Sequence, residues 1–394
     1  MHGDLGTMNI PINEPVHLPP LPHGFDVAAE FPITRRWRFF NHAGVAPISA
    51  RAAAEFERFA REARDDSYLT GRWYHKIELV RKLAAQFIHA RPEEMAFVKN
   101  TSEGLAFVAN GLDWKAGDGI ISTAVEYPSN VYPWMDVARR FDCRHIMLPE
   151  HEGRIDRHSI FDAVTPRTRL IALSHVEYAS GFRHDLAAIG QFCRQRNILL
   201  CVDGIQACGV LPVDVKTMHI DFLSADGHKW LLGPEGAGIF YCREELLRSL
   251  RPEIGWMNVI NANDYGHYDF TLRTDARRFE CGSHNIPGIL ALGASMQLLL
   301  DVGMDVVAAR VLALTDQLCA GLMRKGYRVF SSRRPGETSG IVSFTSPRHP
   351  QADIITNLEK QKIILVEREG RLRASPHFYQ TAEDINCLLD ALPG

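Results

Sequence analysis

The feature that most constrains this chain is a regular alternation of short apolar runs and helical segments after residue 93. The runs are rich in β-forming residues and lie at 95–98, 120–121, 145–148, 170–173, 198–202 and 222–223. The segments between them have helical character and lie at 104–112, 134–141, 160–164 and 186–196. Strands that alternate with helices in this way predict an α/β fold with a largely parallel sheet covered on both faces.

The length of 394 residues exceeds what one small core needs, so two α/β lobes are expected. Residues 1–24 are rich in Pro, His and Asn without a period, and they predict an arm that either frays or packs on a neighbouring subunit. Amphipathic helices are predicted at 51–64 and 77–88. We assign 25–287 to a large domain and 288–394 to a smaller C-terminal domain, which begins with a helical stretch.

The strongest candidate for a reactive group is Lys229, which lies between an apolar run and a glycine-rich turn. An amine in such a place is poorly solvated, so its pKa falls and its neutral form can attack an aldehyde to give a Schiff base. A surface lysine at a strand end is the alternative, and it is the better interpretation of an isolated lysine. Asp203, however, lies about 26 residues upstream. A carboxylate near a heterocyclic nitrogen is what a pyridinium electron sink requires.

The segments around Lys229 and Asp203 together resemble the class V aminotransferase family of pyridoxal-phosphate enzymes, which includes cysteine desulfurases, selenocysteine lyase, kynureninase and isopenicillin N epimerase. The resemblance extends from about Phe39 to the C-terminus. It implies a fold-type I PLP-dependent transferase with pyridoxal 5′-phosphate as cofactor. A mainly parallel seven-stranded sheet is implied for the large domain, with a smaller C-terminal α/β domain.

The same resemblance implies roles for three residues. Lys229 would carry the aldimine, Asp203 would pair with the pyridine nitrogen, and Gln206 would bind the phenolic oxygen of the cofactor. These residue types suit the chemistry, because a carboxylate keeps the ring nitrogen protonated and electrons released at Cα then flow into the ring.

A phosphate site is predicted at residues 99–104, where Thr101, Ser102 and free N–H groups can donate to an anion. An ordinary N-cap box is the alternative, and the resemblance favours the phosphate and adds His228 as a donor. Desulfurases commonly have Ser-x-His-Lys where this chain has Asp226-Gly-His-Lys. Because a carboxylate would repel the phosphate, Asp226 is expected to point elsewhere or to leave its role to Ser224.

Tyr127 lies where relatives carry an aromatic residue, usually histidine, over the cofactor ring, and a tyrosine can stack on a flat π-system equally well. The resemblance therefore groups Tyr127 with Lys229 and Asp203 as catalytic, and a buried core tyrosine is the alternative. Tyr178 stands where relatives often have an asparagine, which leaves its role open.

Arg373 matches the position that binds the substrate carboxylate in the family, and a guanidinium presents two parallel donors to a carboxylate. A solvated surface arginine is the alternative, and Arg371 is a weaker candidate. The turn with Asn41 and His42 resembles the one that lines the substrate pocket. The segment around Ser283 resembles the loop that reaches across a dimer to the partner's phosphate, so the resemblance implies a homodimer.

Composition argues against several function classes. Lys and Arg number 44 against 47 Asp and Glu, and the net charge of −3 gives no electrostatic case for nucleic acid or an anionic membrane. We see neither an apolar run of about 18 residues nor a basic-then-apolar signal, so a cytoplasmic protein without membrane attachment is expected. Eight cysteines without CxxC spacing argue against a metal site and against a disulfide framework.

The lack of a cysteine shortly before Arg373 argues against one reaction of the family. Desulfurases need a loop cysteine shortly before the carboxylate arginine, so that a thiolate can take sulfur from the substrate. Between Val366 and Arg373 this chain has Glu-Arg-Glu-Gly-Arg-Leu, so a persulfide-forming desulfurase is disfavoured. We expect a small α-amino acid or derivative as substrate, with transamination favoured. The alternatives are a C–S lyase acting by β-elimination, an isopenicillin N epimerase-like enzyme, and a cofactor-binding regulator that has lost catalysis.

Overall fold

The structure, a computed structural model, describes residues 17–394. Residues 1–16 of the predicted arm lie outside this range. In the described part of the arm, Leu21 packs against the main core and Leu18 against the C-terminal core. This part of the arm therefore lies on its own chain.

The strands are β1 (Arg38–Phe39), β2 (Met95–Val98), β3 (Gly119–Thr123), β4 (Arg144–Leu148), β5 (Thr168–Ser174), β6 (Leu199–Asp203), β7 (Phe222–Asp226), β8 (Gly238–Cys242), β9 (Arg328–Val329), β10 (Val342–Thr345), β11 (Ile363–Ile364), β12 (Val366–Arg368) and β13 (Arg371–Ala374). The α-helices are α1 (Val27–Glu30), α2 (Ala50–Asp65), α3 (Tyr68–Gly71), α4 (Trp73–Phe87), α5 (Thr101–Gly111), α6 (Tyr132–Phe141), α7 (Arg157–Asp162), α8 (Leu186–Gln195), α9 (Ile286–Val302), α10 (Met304–Arg324), α11 (Gln351–Lys360) and α12 (Ala382–Ala391). Short 3-10 helices lie at Pro32–Arg35, Pro92–Glu94, Pro128–Asn130, Glu244–Leu246 and Ala276–Phe279.

The central sheet has seven strands in the order β2-β8-β7-β6-β5-β3-β4, and this confirms the predicted mainly parallel α/β architecture. Strands β7, β6, β5, β3 and β4 are parallel to one another. Strand β8 runs antiparallel to both of its neighbours, and the sequence analysis did not predict it. All five residues of β3, β7 and β8 are buried, as expected for strands that are covered on both faces.

A second sheet, with the antiparallel order β12-β13-β10-β9, lies in the C-terminal part of the chain. Its core includes Leu314 and Leu318 of α10, Phe344 of β10 and Leu388 of α12. Helix α9 instead contributes to the core of the central sheet, through residues such as Leu292. The predicted division at 287/288 therefore falls in the first turn of a helix that packs with the large sheet, and the domain boundaries stay a prediction.

Among the described residues, helix α10 is long and apolar enough to cross a membrane by length and composition. About half of its apolar window, 56%, is buried inside the fold. A core helix passes the same test, so α10 is weak evidence for a membrane segment.

Candidate active site

A cavity of about 360 Å³ opens where several strands of the central sheet end. Strands β6 and β7 end at Asp203 and Asp226, and the loops after β3 and β5 carry Tyr127 and Tyr178. Ligands bind at this edge of open α/β sheets. The predicted site residues that line the cavity are Asn41, Thr101, Ser102, Tyr127, Gln206, His228, Lys229 and Arg373. Asp203 is not among the lining residues, although its neighbour Ile205 is.

A larger cavity of about 720 Å³ is lined by residues that include Arg154, His175, Arg183 and Glu337. None of the predicted site residues lines it. The smaller cavity is the better candidate, because it combines a buried amine with convergent polar groups.

Lys229 lies three residues beyond the end of β7, and only 9% of it is exposed. Burial lowers the pKa of Lys229 to about 8, and the negative charge of Asp203 opposes part of this effect. The Lys229 Nζ lies 5.4 Å from the centroid of the Tyr127 ring. The site therefore contains an amine with a substantial neutral fraction near neutral pH.

Asp203 is the last residue of β6, and its carboxyl group is buried. Its Oδ1 accepts the N–H of Ile205 at 3.0 Å, whereas its Oδ2 has no hydrogen-bond partner among residues 17–394. Burial raises the pKa of Asp203 to about 6, although the Ile205 N–H and the Lys229 charge lower it. A buried carboxylate oxygen without a hydrogen-bond donor can accept a hydrogen bond from the protonated ring nitrogen of pyridoxal phosphate.

The predicted phosphate site lies at the start of α5. The helix begins at Thr101, and the side chain of Asn100 caps it by accepting the N–H of Glu103 at 2.9 Å. Thr101 and Ser102 line the cavity in the first turn. The N-cap that the sequence analysis gave as the alternative is therefore formed, by Asn100. The same turn also presents two hydroxyls and the positive end of the helix dipole, which can bind an anion.

The carboxylate of Asp226 contacts the turn after β7, although Asp226 also lines the cavity, contrary to the expectation that it points elsewhere. Its Oδ1 accepts the N–H of Gly227 at 2.7 Å, and its Oδ2 lies 2.9 Å from His228 Nδ1, without the alignment of a hydrogen bond. Ser224 is fully buried outside the cavity lining, and a Cβ added at Gly104 would lie 2.3 Å from its Oγ. The structure therefore does not bring Ser224 to the cavity, because that side chain packs beneath α5.

Tyr127 is 47% exposed and lines the cavity, so the alternative of a buried core tyrosine is wrong. Its ring packs edge-on against Tyr178, with ring centroids 5.3 Å apart. The Tyr178 hydroxyl donates to Glu369 Oε1 at 2.7 Å. Burial and this hydrogen bond raise the pKa of Tyr178 to about 12, so its hydroxyl keeps its proton at neutral pH.

Gln206 is held from both ends of its amide. Its Nε2 donates to Ala43 O at 3.1 Å, and its Oε1 accepts the Trp230 Nε1–H at 2.8 Å. The second hydrogen on Nε2 stays available to a ligand oxygen, which is compatible with the predicted role.

Arg373 lies on β13 and is 1% exposed, which rules out a solvated surface arginine. Its Nη1 donates to Tyr178 O at 2.8 Å and its Nη2 donates to Asn41 Oδ1 at 3.4 Å. No carboxylate pairs with it among the described residues. Burial lowers the pKa of Arg373 to about 9, so it stays a cation at neutral pH. Arg371 instead stacks on Phe330, with Cζ 3.9 Å from the ring centroid.

Two further predicted residues lie outside this cavity. His42 is fully buried, with Nδ1 2.8 Å from Ser375 O and Nε2 2.6 Å from the Tyr379 hydroxyl. Both ring nitrogens are engaged, so the substrate-binding role predicted for His42 does not fit its position. Ser283 is exposed and lines a separate surface cavity with Lys99.

The sequence analysis missed Arg368, which lines the cavity with Arg373. The two arginines lie on the antiparallel strands β12 and β13, joined by Glu369 and Gly370 with φ of 50° and 70°. Positive φ at both central residues is typical of a type I′ hairpin. In the sequence, the Glu369-Gly370 pair between two segments that contain arginine could have indicated this hairpin.

None of the eight cysteines lines this cavity. Five of them are buried, and Cys281 is the exposed one. Within residues 17–394 no cluster of three or more His, Cys, Asp or Glu side chains is placed to hold a metal ion.

A family model and the related sequences assign this chain to the same protein family. The family model described as Aminotransferase class-V matches residues 45–388. A probable cysteine desulfurase of Methanothermobacter thermautotrophicus is 29% identical over 391 residues, covering 93% of this chain and 96% of that protein. A cysteine desulfurase of Cronobacter sakazakii is 32% identical, covering 86% of this chain and 88% of that protein.

Solved structures agree with this assignment. The apo cysteine desulfurase of Thermococcus onnurineus NA1 superposes with a TM-score of 0.86 at 26% identity, covering 94% of this chain and 97% of that chain. A cystine C–S lyase in complex with its reaction product cysteine persulfide has a TM-score of 0.83 at 26% identity, covering 91% and 98%. Both likenesses extend over nearly the whole chain.

Proposed function

Because this chain belongs to the class V aminotransferase family of pyridoxal-phosphate-dependent enzymes, we propose that it breaks the Cβ–S bond of a cysteine-type amino acid by β-elimination. The names of the relatives, cysteine desulfurase and cystine C–S lyase, favour sulfur chemistry. They count against the transamination that the sequence analysis preferred. They also count against its low ranking of the persulfide-forming desulfurase.

The absence of a cysteine from the cavity lining supports elimination over persulfide formation. The chain before Arg373, where a desulfurase needs its thiolate, is a tight hairpin that presents Arg368. A thiolate that attacks sulfur must reach the substrate, whereas elimination needs only a base at Cα and a leaving group at Cβ. The persulfide-forming desulfurase stays the second candidate because of the names of the relatives.

We infer the following contacts for the cofactor. Asp203 would hold the proton on the ring nitrogen, and Tyr127 would stack on the ring. Gln206 would donate to the phenolic oxygen, while the first turn of α5 and His228 would bind the phosphate. Pyridoxal phosphate, when bound, draws off the electrons that are released at Cα.

The remaining steps fall to the substrate-facing side chains. Arg373 would bind the α-carboxylate and so fix which bond at Cα lies perpendicular to the cofactor plane. The neutral amine of Lys229 would accept the Cα proton, a task that its lowered pKa suits. The sulfur then leaves as a thiolate with the electrons of the Cβ–S bond, and water hydrolyses the carbon–nitrogen bond of the remaining three-carbon fragment to give pyruvate and ammonia.

Product analysis tests this proposal. With cysteine or cystine we expect pyruvate and ammonia in equal amounts, together with sulfide or a persulfide in solution. Desulfuration to alanine with a protein-bound persulfide would refute elimination and support the second candidate. Formation of 3-mercaptopyruvate would restore transamination, and inversion at Cα alone would indicate an epimerase.

We also propose that the enzyme is a homodimer, with Ser283 directed at the partner's cofactor. Apolar side chains are exposed in the segment 254–265, part of which lies near Gly282 and Ser283. Ile254 and Tyr265 are exposed, and Trp256 Nε1 lies 3.6 Å from the position of a Cβ added at Gly282. Exposed apolar surface of this kind is typical of an interaction site.

Sedimentation tests the dimer. The wild-type enzyme should sediment as a dimer, and Trp256→Glu should shift it toward a monomer with weaker cofactor binding, because a buried charge at an interface is costly. A wild-type monomer with full cofactor occupancy would refute the proposal.

A further inference from the structure

Within residues 17–394, Arg368 is the one arginine of the cavity lining to which neither the cofactor nor the α-carboxylate gives a role. The other basic side chains of the lining are Lys229, His228 and Arg373, and each already has a role. Arg368 donates from Nη1 to the Glu367 carbonyl at 2.7 Å. It forms no ion pair with any carboxylate in residues 17–394. The carboxylate of the neighbouring Glu369 accepts a hydrogen bond from the Tyr178 hydroxyl instead of pairing with Arg368.

The hairpin fixes where Arg368 lies relative to Arg373. Arg368 pairs with Arg371 and Val366 pairs with Arg373 in the β12–β13 register. Side chains of residues 366, 368, 371 and 373 thus start from one face of the hairpin. Arg371 turns to Phe330, while Arg368 and Arg373 reach the cavity. The short turn limits how far the tip can move, so the two guanidinium groups share one pocket.

Electrostatics support the same placement. Burial is the main cause of the lowered pKa of Arg373, and the charge of Arg368 comes second. Burial is also the main cause of the lowered pKa of Lys229. The charges of Asp203 and Asp226 oppose it, whereas Arg373 and, more weakly, Arg368 add to it. Two like charges in one pocket are unfavourable unless an anion joins them. The lining also contains the carboxylates Asp226 and Glu235, and neither forms an ion pair with Arg368 or Arg373. Arg373 is deeply buried and Arg368 is exposed, so a bound anion can meet Arg368 at the mouth.

We propose that Arg368 binds a negatively charged group on the sulfur-borne side of the substrate, so that the preferred substrates are S-substituted cysteines whose leaving group carries a carboxylate. The assignment of the leaving group rests on the proposed elimination. The assignment of the anion rests on the cavity alone. For S-carboxymethylcysteine, the Cα proton goes to Lys229 and the Cβ–S bond breaks. Thioglycolate leaves with the bond's electrons, and water releases ammonia to give pyruvate.

A matched pair of ligands isolates the contact. S-carboxymethylcysteine and S-carbamoylmethylcysteine have the same shape and differ in a carboxylate against an amide. Their dissociation constants are measured on the holoenzyme by rapid mixing, from the shift in cofactor absorbance that precedes bond breakage. We expect the carboxylate ligand to bind about tenfold more tightly, as for one charge-assisted contact that is partly exposed. This preference should shrink at high salt.

Three variants test the assignment. Arg368→Gln should reduce the preference to less than about twofold, and Arg368→Lys should keep part of it, because a point charge remains. Arg371→Gln is the matched control on the same hairpin and should keep the full preference. An effect of Arg368 that acts through Lys229 or Arg373 would change both ligands alike, so the ratio reports the direct contact.

Two results would overturn the inference: equal binding of both ligands to the wild-type enzyme, or an unchanged ratio in Arg368→Gln. Equal weakening of both ligands in that variant leaves the ratio unchanged and would likewise refute the inference, because Arg368 would then act at the α-carboxylate or through Lys229 or Arg373. Binding is independent of the bond that is later broken. A preserved charge preference without pyruvate formation would therefore refute the proposed elimination and leave the role of Arg368 standing.

Discussion

Lys229→Ala is expected to abolish the visible absorbance band that depends on the bond between Lys229 and the cofactor, and to reduce turnover by about 10⁴-fold, the upper range for loss of a general base. The lysine is buried in the cavity with a pKa of about 8, so its loss removes both the attachment point and the base. The measurements are the absorbance spectrum and the rate of pyruvate formation. Lys229→Arg keeps a cation and comparable bulk, and it should be equally inactive. Full activity of Lys229→Ala would refute the central assignment.

The same lysine predicts a pH signature in the apoenzyme. A lowered pKa favours the neutral amine above about pH 8, so the rate of cofactor incorporation should rise to about pH 8 and then level off. At pH 7 roughly a tenth of the amine is then neutral, against less than a thousandth for an ordinary lysine. A rate that continues to rise beyond pH 10 would show that burial does not shift this amine.

The neighbourhood of Lys229 and Asp203 could be predicted because it depends on strand order. Asp203 ends β6 and pairs with Ser224 of β7, so the segment that follows β7 returns to the Asp203 side chain. Apolar runs flanked by helical segments indicate parallel strands, and their carboxyl ends meet at one edge. Two residues far apart in the chain could thus be assigned to one site.

Other parts of the site depend on contacts that no local pattern reveals. His42 follows the cavity residue Asn41, yet Ser375 and Tyr379, more than 300 positions away, bury it. Strand β8 directly follows the glycine-rich turn and was not predicted, because its pairing with the distant strand β2 is visible only in three dimensions. The position of Arg368 in the cavity could not be predicted, because it depends on the register of the β12–β13 hairpin.

Arg373→Ala is expected to lower kcat/KM by about 30- to 1000-fold, or about 2–4 kcal/mol, the range for loss of a charge-assisted pair that is removed from water. The guanidinium is buried and held by Tyr178 O and Asn41 Oδ1, so its donors are fixed before a substrate arrives. Pre-orientation of this kind determines which bond at Cα can break. Steady-state kinetics with the substrate found by product analysis provide the measurement.

Arg373→Lys and Arg371→Ala complete this test. Lysine keeps the charge but presents no planar pair of donors, so we expect a loss smaller than that of Arg373→Ala. Arg371 stacks on Phe330 outside the cavity, so its replacement should leave kcat/KM within about twofold. Thermal unfolding of each variant separates a lost contact from a destabilised fold. If Arg373→Ala keeps wild-type kinetics, Arg368 becomes the remaining cavity guanidinium able to bind the α-carboxylate, and the assignments of the two arginines must be exchanged.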